Sequence, residues 1–387
     1  MPASEPTPRP SGRLARLFLI AFSLAVSLGI AEVAVRLARP QAVMTVSRGL
    51  YEPDPPRRYR LQPGFQGRVG NQAEYDTTVS INPLGMRGAD PGPKAPGTVR
   101  ILALGDSFTF GVGAREDQTY PARLQEALRA RGIPAQVLNA GAPGFGIPDE
   151  AAWFRRYGRD LRPDLVLVAA FLANDLQDAS PDRPKVAVVD GALVVPTEKG
   201  GLRRWLYYHS HLFRLIKSSV LEGSFRSRLG LPEPWAVREL RSEQDLYAEN
   251  PPPELMRGAE ATDLAVADLA GEAQVPVVAV LIPSLPQVDP KKWHAVLAQL
   301  HLDPARLDPA RPNRLFRSIF ERHGVPVLDL APGFSAAIRQ GRPLYYPIDQ
   351  HLTPEGYDRM AREVAGFLLE RGLVRAAGPH PRALGRR

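Results

Sequence analysis

The sequence contains no cysteine. This excludes a disulfide-stapled scaffold, a Cys-ligated zinc site, a thiol nucleophile and a lipoprotein held by an acylated N-terminal Cys. Any covalent catalysis falls to Ser, Thr, Lys, His or a carboxylate. Excess charge is also scarce away from the ends. The net charge is +8, yet residues 1–16 carry +2 (Arg9, Arg13 and Arg16 against Glu5) and residues 371–387 carry +5. Only +1 is left for the 354 residues between. A nucleic-acid binder needs a basic face on its folded body, so no nucleic-acid partner is expected. Hydrophobic residues make up 44 % and charged residues 23 %, a globular balance rather than a disordered one.

One long uncharged run is present. Leu17–Ala31 is fifteen residues of apolar character, and Val33–Val35 extends it past Glu32. Nineteen residues, Leu17–Val35, suffice to cross a bilayer if Glu32 sits near the interface. Three arginines precede the run, so the short tail stays in the cytoplasm and the body is exported. The expectation is a single-pass membrane protein with its folded body outside the cytoplasm. The alternative is secretion after cleavage near Gly29 and Ala31. The expected organisation is a cytoplasmic tail over 1–16, a signal anchor over 17–38 and an extended, Pro- and Gly-rich lead-in over 39–97. The main domain follows over 98–376, interrupted by an insertion at about 180–260, with a basic tail over 377–387.

From Val99 the pattern becomes regular. Val99–Leu104, Gln136–Leu138, Leu165–Phe171, Pro276–Ile282 and Val325–Leu328 read as strands. Leu165–Phe171 is apolar at every position. Such strands need cover on both faces, which points to a parallel sheet between helical layers. Asp117–Arg131 has helical spacing, and a final helix is expected to start at Thr353 as N-cap with Pro354 at N1. The insertion carries an aromatic amphipathic segment, Trp205–Leu215.

Ligands in open parallel sheets bind beyond the C-terminal strand ends. After the first strand stands Gly105-Asp106-Ser107, which taken alone also fits an ordinary turn with Ser as helix cap. The second strand is followed by a Gly-rich turn with Gly141, Gly144 and Gly146, where backbone N–H groups can approach a ligand. The third strand leads to Asn174-Asp175, an oxyanion donor or an Asx turn. Near the C-terminus stands Asp349-Gln350-His351. His209 and His211 have the look of metal ligands but lack an acidic or Cys partner nearby, so no metal and no other cofactor is expected. Together, a hydroxyl nucleophile, two oxyanion donors and an Asp–His pair meet the requirements for acyl transfer through a serine ester.

At these residues the sequence resembles the GDSL/SGNH hydrolase superfamily, in its membrane-anchored bacterial type. The resemblance covers roughly residues 98–372. It rests on Gly-Asp-Ser at 105–107, Gly144, Asn-Asp at 174–175 and Asp-x-His at 349–351. Val79–Arg87 and Ser107–Gly113 also look like the anchored members. Two positions depart from the family pattern: Leu172 stands where Gly is frequent, and the Asp-x-x-His spacing is shortened by one residue. The resemblance implies an α/β class, three-layer α/β/α flavodoxin-like fold with a five-stranded parallel sheet, plus the N-terminal transmembrane helix. It assigns Ser107, His351 and Asp349 as catalytic, and Ser107, Gly144 and Asn174 as the oxyanion hole. The expected function is an acyl-ester hydrolase, esterase or lipase-like or a carbohydrate deacetylase, acting on an acylated lipid or sugar. The competing readings are an O-acyltransferase on a cell-envelope polysaccharide and a catalytically retired binding or assembly protein.

Overall fold

A computed structural model describes residues 12–38, 41, 45–55, 58–71, 73–183, 186–194, 201–219, 245–300 and 302–375. The basic tail expected over 377–387 and most of the tail expected over 1–16 lie outside the described residues. Short strands open the body: β1 (Thr45–Val46), β2 (Tyr51–Pro53), β3 (Tyr59–Leu61), β4 (Gln66–Gly70) and β5 (Asp76–Ser80). They pair antiparallel as β1-β4-β5 and β2-β3.

The main sheet follows with β6 (Val99–Gly105), β7 (Ala135–Asn139) and β8 (Leu165–Phe171). A hairpin, β9 (Ala187–Val189) and β10 (Ala192–Val194), intervenes before β11 (Val277–Ile282) and β12 (Val327–Asp329). The five main strands are parallel in the order β12-β11-β8-β6-β7. The period-2 alternation of strand side chains sorts the core into two layers. Leu102 and Leu104 of β6, Val166 and Val168 of β8, and Ala279 and Leu281 of β11 join one cluster. Ile101 and Ala103, Leu165 and Leu167, and Val278 and Val280 join the other.

Each layer is closed by helices. Helix Pro253–Glu272 brings Leu255, Ala259, Val266 and Leu269 to the first layer, and helix Arg311–Arg322 brings Phe316, Ile319 and Phe320. Helix Tyr120–Arg129 covers the second through Leu124 and Leu128, and helix Pro354–Glu370 through Met360, Val364 and Leu368. At about 1.5–3 kcal/mol for each fully buried Leu, Ile, Val or Phe, this two-sided burial is the main favourable term. The result is the three-layer α/β/α architecture with a five-stranded parallel sheet. Helix Pro354–Glu370 starts as its sequence dictates: Thr353 Oγ1 accepts from Gly356 N at 3.1 Å, with Pro354 next.

The chain divides into two compact units. Residues 42–198 and 237–387 form the one just described. The other comprises residues 1–41 and 199–236. Its described elements are a 27-residue helix, Gly12–Ala38, and two shorter ones, Leu202–His209 and His211–Ser219. The segment read as one aromatic stretch over Trp205–Leu215 is thus broken at Ser210, whose backbone is extended. Within the first helix, Ala15–Ala38 is long and apolar enough to cross a membrane. The helix Pro253–Glu272 begins inside the window expected as insertion, yet its buried face belongs to the sheet's core.

Candidate active site

The turn after β6 is built around two glycines. A Cβ on Gly105 (φ +153°) would lie 2.0 Å from Thr109 Oγ1, so only glycine fits. Ser107 then opens the short helix Ser107–Phe110, which Asp106 caps by accepting from Phe108 N at 2.8 Å. Gly111 ends it in the left-handed conformation (φ +90°), its N–H donating to Ser107 O. Both ends of the turn are fixed, and the Ser107 hydroxyl stands at the edge of the sheet.

His351 reaches that hydroxyl from the other side of the sequence. Its Nε2 is 2.9 Å from Ser107 Oγ, and its Nδ1 is 2.8 Å from Asp349 Oδ2. The tautomer with Nδ1–H satisfies both contacts: it donates to Asp349 and leaves Nε2 to accept from Ser107. The shortened Asp-x-His spacing works because Gln350 between them adopts the left-handed conformation (φ +65°), which swings the two side chains together. The loop closes on itself, with Tyr346 N donating to His351 O and Gln350 N to Tyr346 O. Phe108 packs on the imidazole at 4.9 Å between ring centres and on Phe171 at 4.0 Å.

Asp349 is held by residues of the lead-in. The Tyr75 hydroxyl donates to Asp349 Oδ2 at 2.5 Å. The Glu74 carboxylate accepts from Ile348 N at 2.8 Å and from Asp349 N at 2.9 Å, and Asn71 Nδ2 donates to it in turn. Burial pushes the Asp349 carboxyl up, but the hydrogen bond and charge of His351 and the bond from Tyr75 outweigh it, leaving its pKa below the usual carboxylate value. Burial, followed by the Asp349 charge, pushes the Tyr75 phenol well up, so it remains a donor. Sequence reasoning missed Tyr75 and Glu74. No local motif marks them; they meet Asp349 across 274 and 275 positions.

The three glycines after β7 are physically different. Gly141 N donates to Asn139 Oδ1, and a Cβ there would lie 2.2 Å from Phe110 N. Gly146 N faces Asp149 Oδ2, and a Cβ there would lie 2.8 Å from Ala179 N. These two serve close packing. Gly144 (φ +78°) has an N–H that donates to no acceptor among the described residues. Its carbonyl accepts from Arg58 Nη2 at 3.0 Å, while Tyr59 OH donates to Pro143 O at 2.8 Å. The lead-in therefore also clamps this loop.

Asn174 follows β8 and begins helix Asp175–Ala179. Its side-chain amide has no hydrogen bond to another described residue, and its Oδ1 is buried. Asp175 Oδ2 fixes the strand end by accepting from Phe171 N at 3.0 Å. Leu172, at the position where Gly is frequent in the family, is fully buried, and its N–H donates to Ile282 O, extending the sheet. Behind these loops lie three buried carboxyls, Asp106, Glu150 and Asp175, and a half-buried one, Asp178. Burial pushes Asp106 up to about 6 and Asp178 up to about 7, and pushes Glu150 and Asp175 well above the usual range. His209 and His211 lie in the other unit; His209 Nδ1 faces Trp205 O, and His211 Nδ1 accepts from Gln41 N. Among the described residues no group of three or more His, Cys, Asp or Glu is arranged to hold a metal.

No curated protein matches the sequence. Among solved structures, the chain is similar to the lipase/acylhydrolase from Enterococcus faecalis, at 15 % identity and a TM-score of 0.39, over 72 % of this chain and 99 % of that one. It is also similar to a catalytic mutant of an acetylxylan esterase from Geobacillus stearothermophilus, at 15 % identity and a TM-score of 0.38, over 72 % of this chain and 97 % of that one. A family model for the SGNH hydrolase-like domain of the acetyltransferase AlgX matches residues 289–384, which hold Asp349 and His351. A model for the GDSL-like Lipase/Acylhydrolase family matches residues 103–306, just over half of the chain, which hold Ser107, Gly144 and Asn174. The chain belongs to the GDSL-like lipase/acylhydrolase family, with the SGNH α/β fold.

Proposed function

We propose that the protein is a serine-dependent acyl-ester hydrolase, with Ser107 as nucleophile, His351 as general base and Asp349 as the acid that orients it. The observation that carries this reading is the hydrogen-bonded chain from Ser107 Oγ to His351 Nε2 (2.9 Å) and from His351 Nδ1 to Asp349 Oδ2 (2.8 Å). His351 takes the hydroxyl proton as Ser107 Oγ bonds to the ester carbonyl carbon. The oxyanion is held by Ser107 N–H, Gly144 N–H and the Asn174 amide. Collapse of the intermediate breaks the ester C–O bond, and His351 returns the proton to the departing alcohol. Water repeats the sequence on the acyl-enzyme and releases the acid. The substrate class is an acylated lipid or carbohydrate. Turnover of p-nitrophenyl acetate by wild type and Ser107→Ala tests the assignment. Loss in the variant supports it, and retained wild-type turnover contradicts it.

The match to an acetyltransferase-type domain over residues 289–384 favours a second reading. There the same acyl-enzyme passes its acyl group to a sugar hydroxyl instead of water. Incubation with an acyl donor and a polysaccharide separates the two: transfer predicts acylated sugar and reduced net hydrolysis, and hydrolysis predicts neither.

The helix Gly12–Ala38 acts in this reading as a membrane anchor. It is supported by the span Ala15–Ala38, by its exposed Leu17, Phe18, Ile20 and Phe22, and by the arginines that precede the apolar run. An intact N-terminus on membrane-bound protein supports the anchor; a mature chain starting after Ala31 supports a cleaved signal.

A further inference from the structure

The single acid in the apolar helix is fully engaged. Glu32 accepts from Ser210 Oγ at 2.7 Å, His211 N at 2.8 Å and Leu212 N at 2.8 Å, which caps helix His211–Ser219. Arg36, one turn further on, donates Nε to Glu32 Oε1 and Nη2 to His209 O, both at 2.7 Å. Gln41 N donates to His211 Nδ1. The junction between helices Leu202–His209 and His211–Ser219 is therefore fastened to the last turns of the candidate span. An acid at that depth needs partners, and these residues supply them.

The two short helices are turned inside out for a water-facing element. His211 and Arg214 are buried, at 5 % exposure each, whereas Leu202 is 72 %, Trp205 56 % and Ile216 44 % exposed. The buried pair is polar and the three exposed side chains are large and apolar. Residues 202–219 contain three Arg and one Lys and no acid. An element that exposes Trp and Leu and is basic in sequence suits the boundary between lipid headgroups and acyl chains.

We propose that the helix pair Leu202–His209 and His211–Ser219 is a membrane-interface element, with Leu202, Trp205 and Ile216 seated in the surface of the bilayer that the first helix spans. The occupant of this apolar face is lipid. The pair is attached at Glu32 and Arg36, at the boundary end of the span, so the same bilayer surface that ends the anchor begins the seat. The proposal rests on the anchor reading above.

The absence of cysteine makes the test direct. Single Cys variants Leu202→Cys, Ile216→Cys, Phe22→Cys and Arg131→Cys of the full chain are labelled with an environment-sensitive fluorophore. They are reconstituted in phosphatidylcholine–phosphatidylglycerol vesicles carrying spin-labelled lipid quenchers placed either shallow or deep. Labels at positions 202 and 216 are expected to be quenched several-fold more by the shallow lipid than the label at 131, and the label at 22 by the deep lipid. Adding Glu32→Ala is expected to abolish the shallow quenching at 202 while deep quenching at 22 persists. Quenching at 22 with labels at 202 and 216 behaving like that at 131 overturns the proposal and leaves the anchor standing. No quenching at 22 overturns both.

Discussion

The Tyr75 hydroxyl donates to the same Asp349 oxygen, Oδ2, that accepts from His351 Nδ1, at 2.5 Å and 2.8 Å. A residue of the lead-in thus completes the environment of the carboxylate proposed to orient the base. Tyr75 is a positioning residue in this account, since it acts on Asp349 rather than on substrate. Tyr75→Phe removes one charge-assisted hydrogen bond, of about 1.5–3 kcal/mol, and kcat/KM is expected to fall by roughly tenfold to a hundredfold. That bond also holds the Asp349 pKa down. Without it Asp349 takes up a proton at higher pH, so activity is lost from a higher pH on the acid side. A fall in activity with an unmoved acid limb would show that Tyr75 serves folding alone.

Asp349→Asn keeps the size of the side chain and removes its charge. The amide no longer enforces the Nδ1–H tautomer, and kcat is expected to drop by about 10⁴-fold, the scale known for such a change in a serine triad. Steady-state kinetics on p-nitrophenyl acetate measures this. A drop of only a few-fold would mean that another carboxylate orients His351.

Asn174→Ala deletes one of the proposed oxyanion donors. The expected loss is about 2.7–4 kcal/mol of transition-state stabilisation, seen in kcat rather than KM. An unchanged kcat would remove Asn174 from the oxyanion hole.

Glu150 is buried at 1 % exposure, and neither carboxylate oxygen has a partner among the described residues. Burial, with the Asp106 and Asp149 charges, pushes its pKa well above the usual carboxylate range. The folded protein then keeps a proton that the unfolded chain releases in that range, so this group's contribution to stability declines as pH rises. Glu150→Gln removes that decline. Thermal unfolding at pH 5 and pH 8 is expected to show a smaller difference in Tm for the variant than for wild type. Parallel curves would contradict the argument.

Much of the fold was legible because two central strands are apolar at every position. Leu165–Phe171 and Val277–Ile282 need cover on both faces wherever they sit, so the three-layer sheet follows from them alone. The residues at the strand ends were legible for a related reason: parallel topology sends successive loops to one edge. What was not legible came from long-range folding. Asn71, Glu74 and Tyr75 look like an ordinary turn until the lead-in returns to the loop at 348–351. Nor does a glutamine announce a left-handed backbone, yet Gln350 is what lets Asp349 and His351 meet. Glu32 read as an interruption of an apolar run; its meaning lies 178–180 positions away, at Ser210 and Leu212.

The central claim is that Ser107 is a nucleophile activated by His351. Labelling the folded protein with a fluorophosphonate, followed by peptide mass spectrometry, tests it most directly. The account predicts one phosphonyl adduct, on Ser107, lost in Ser107→Ala and strongly slowed in His351→Ala. An unlabelled Ser107 in folded wild-type protein, or an adduct on a different residue, would contradict it.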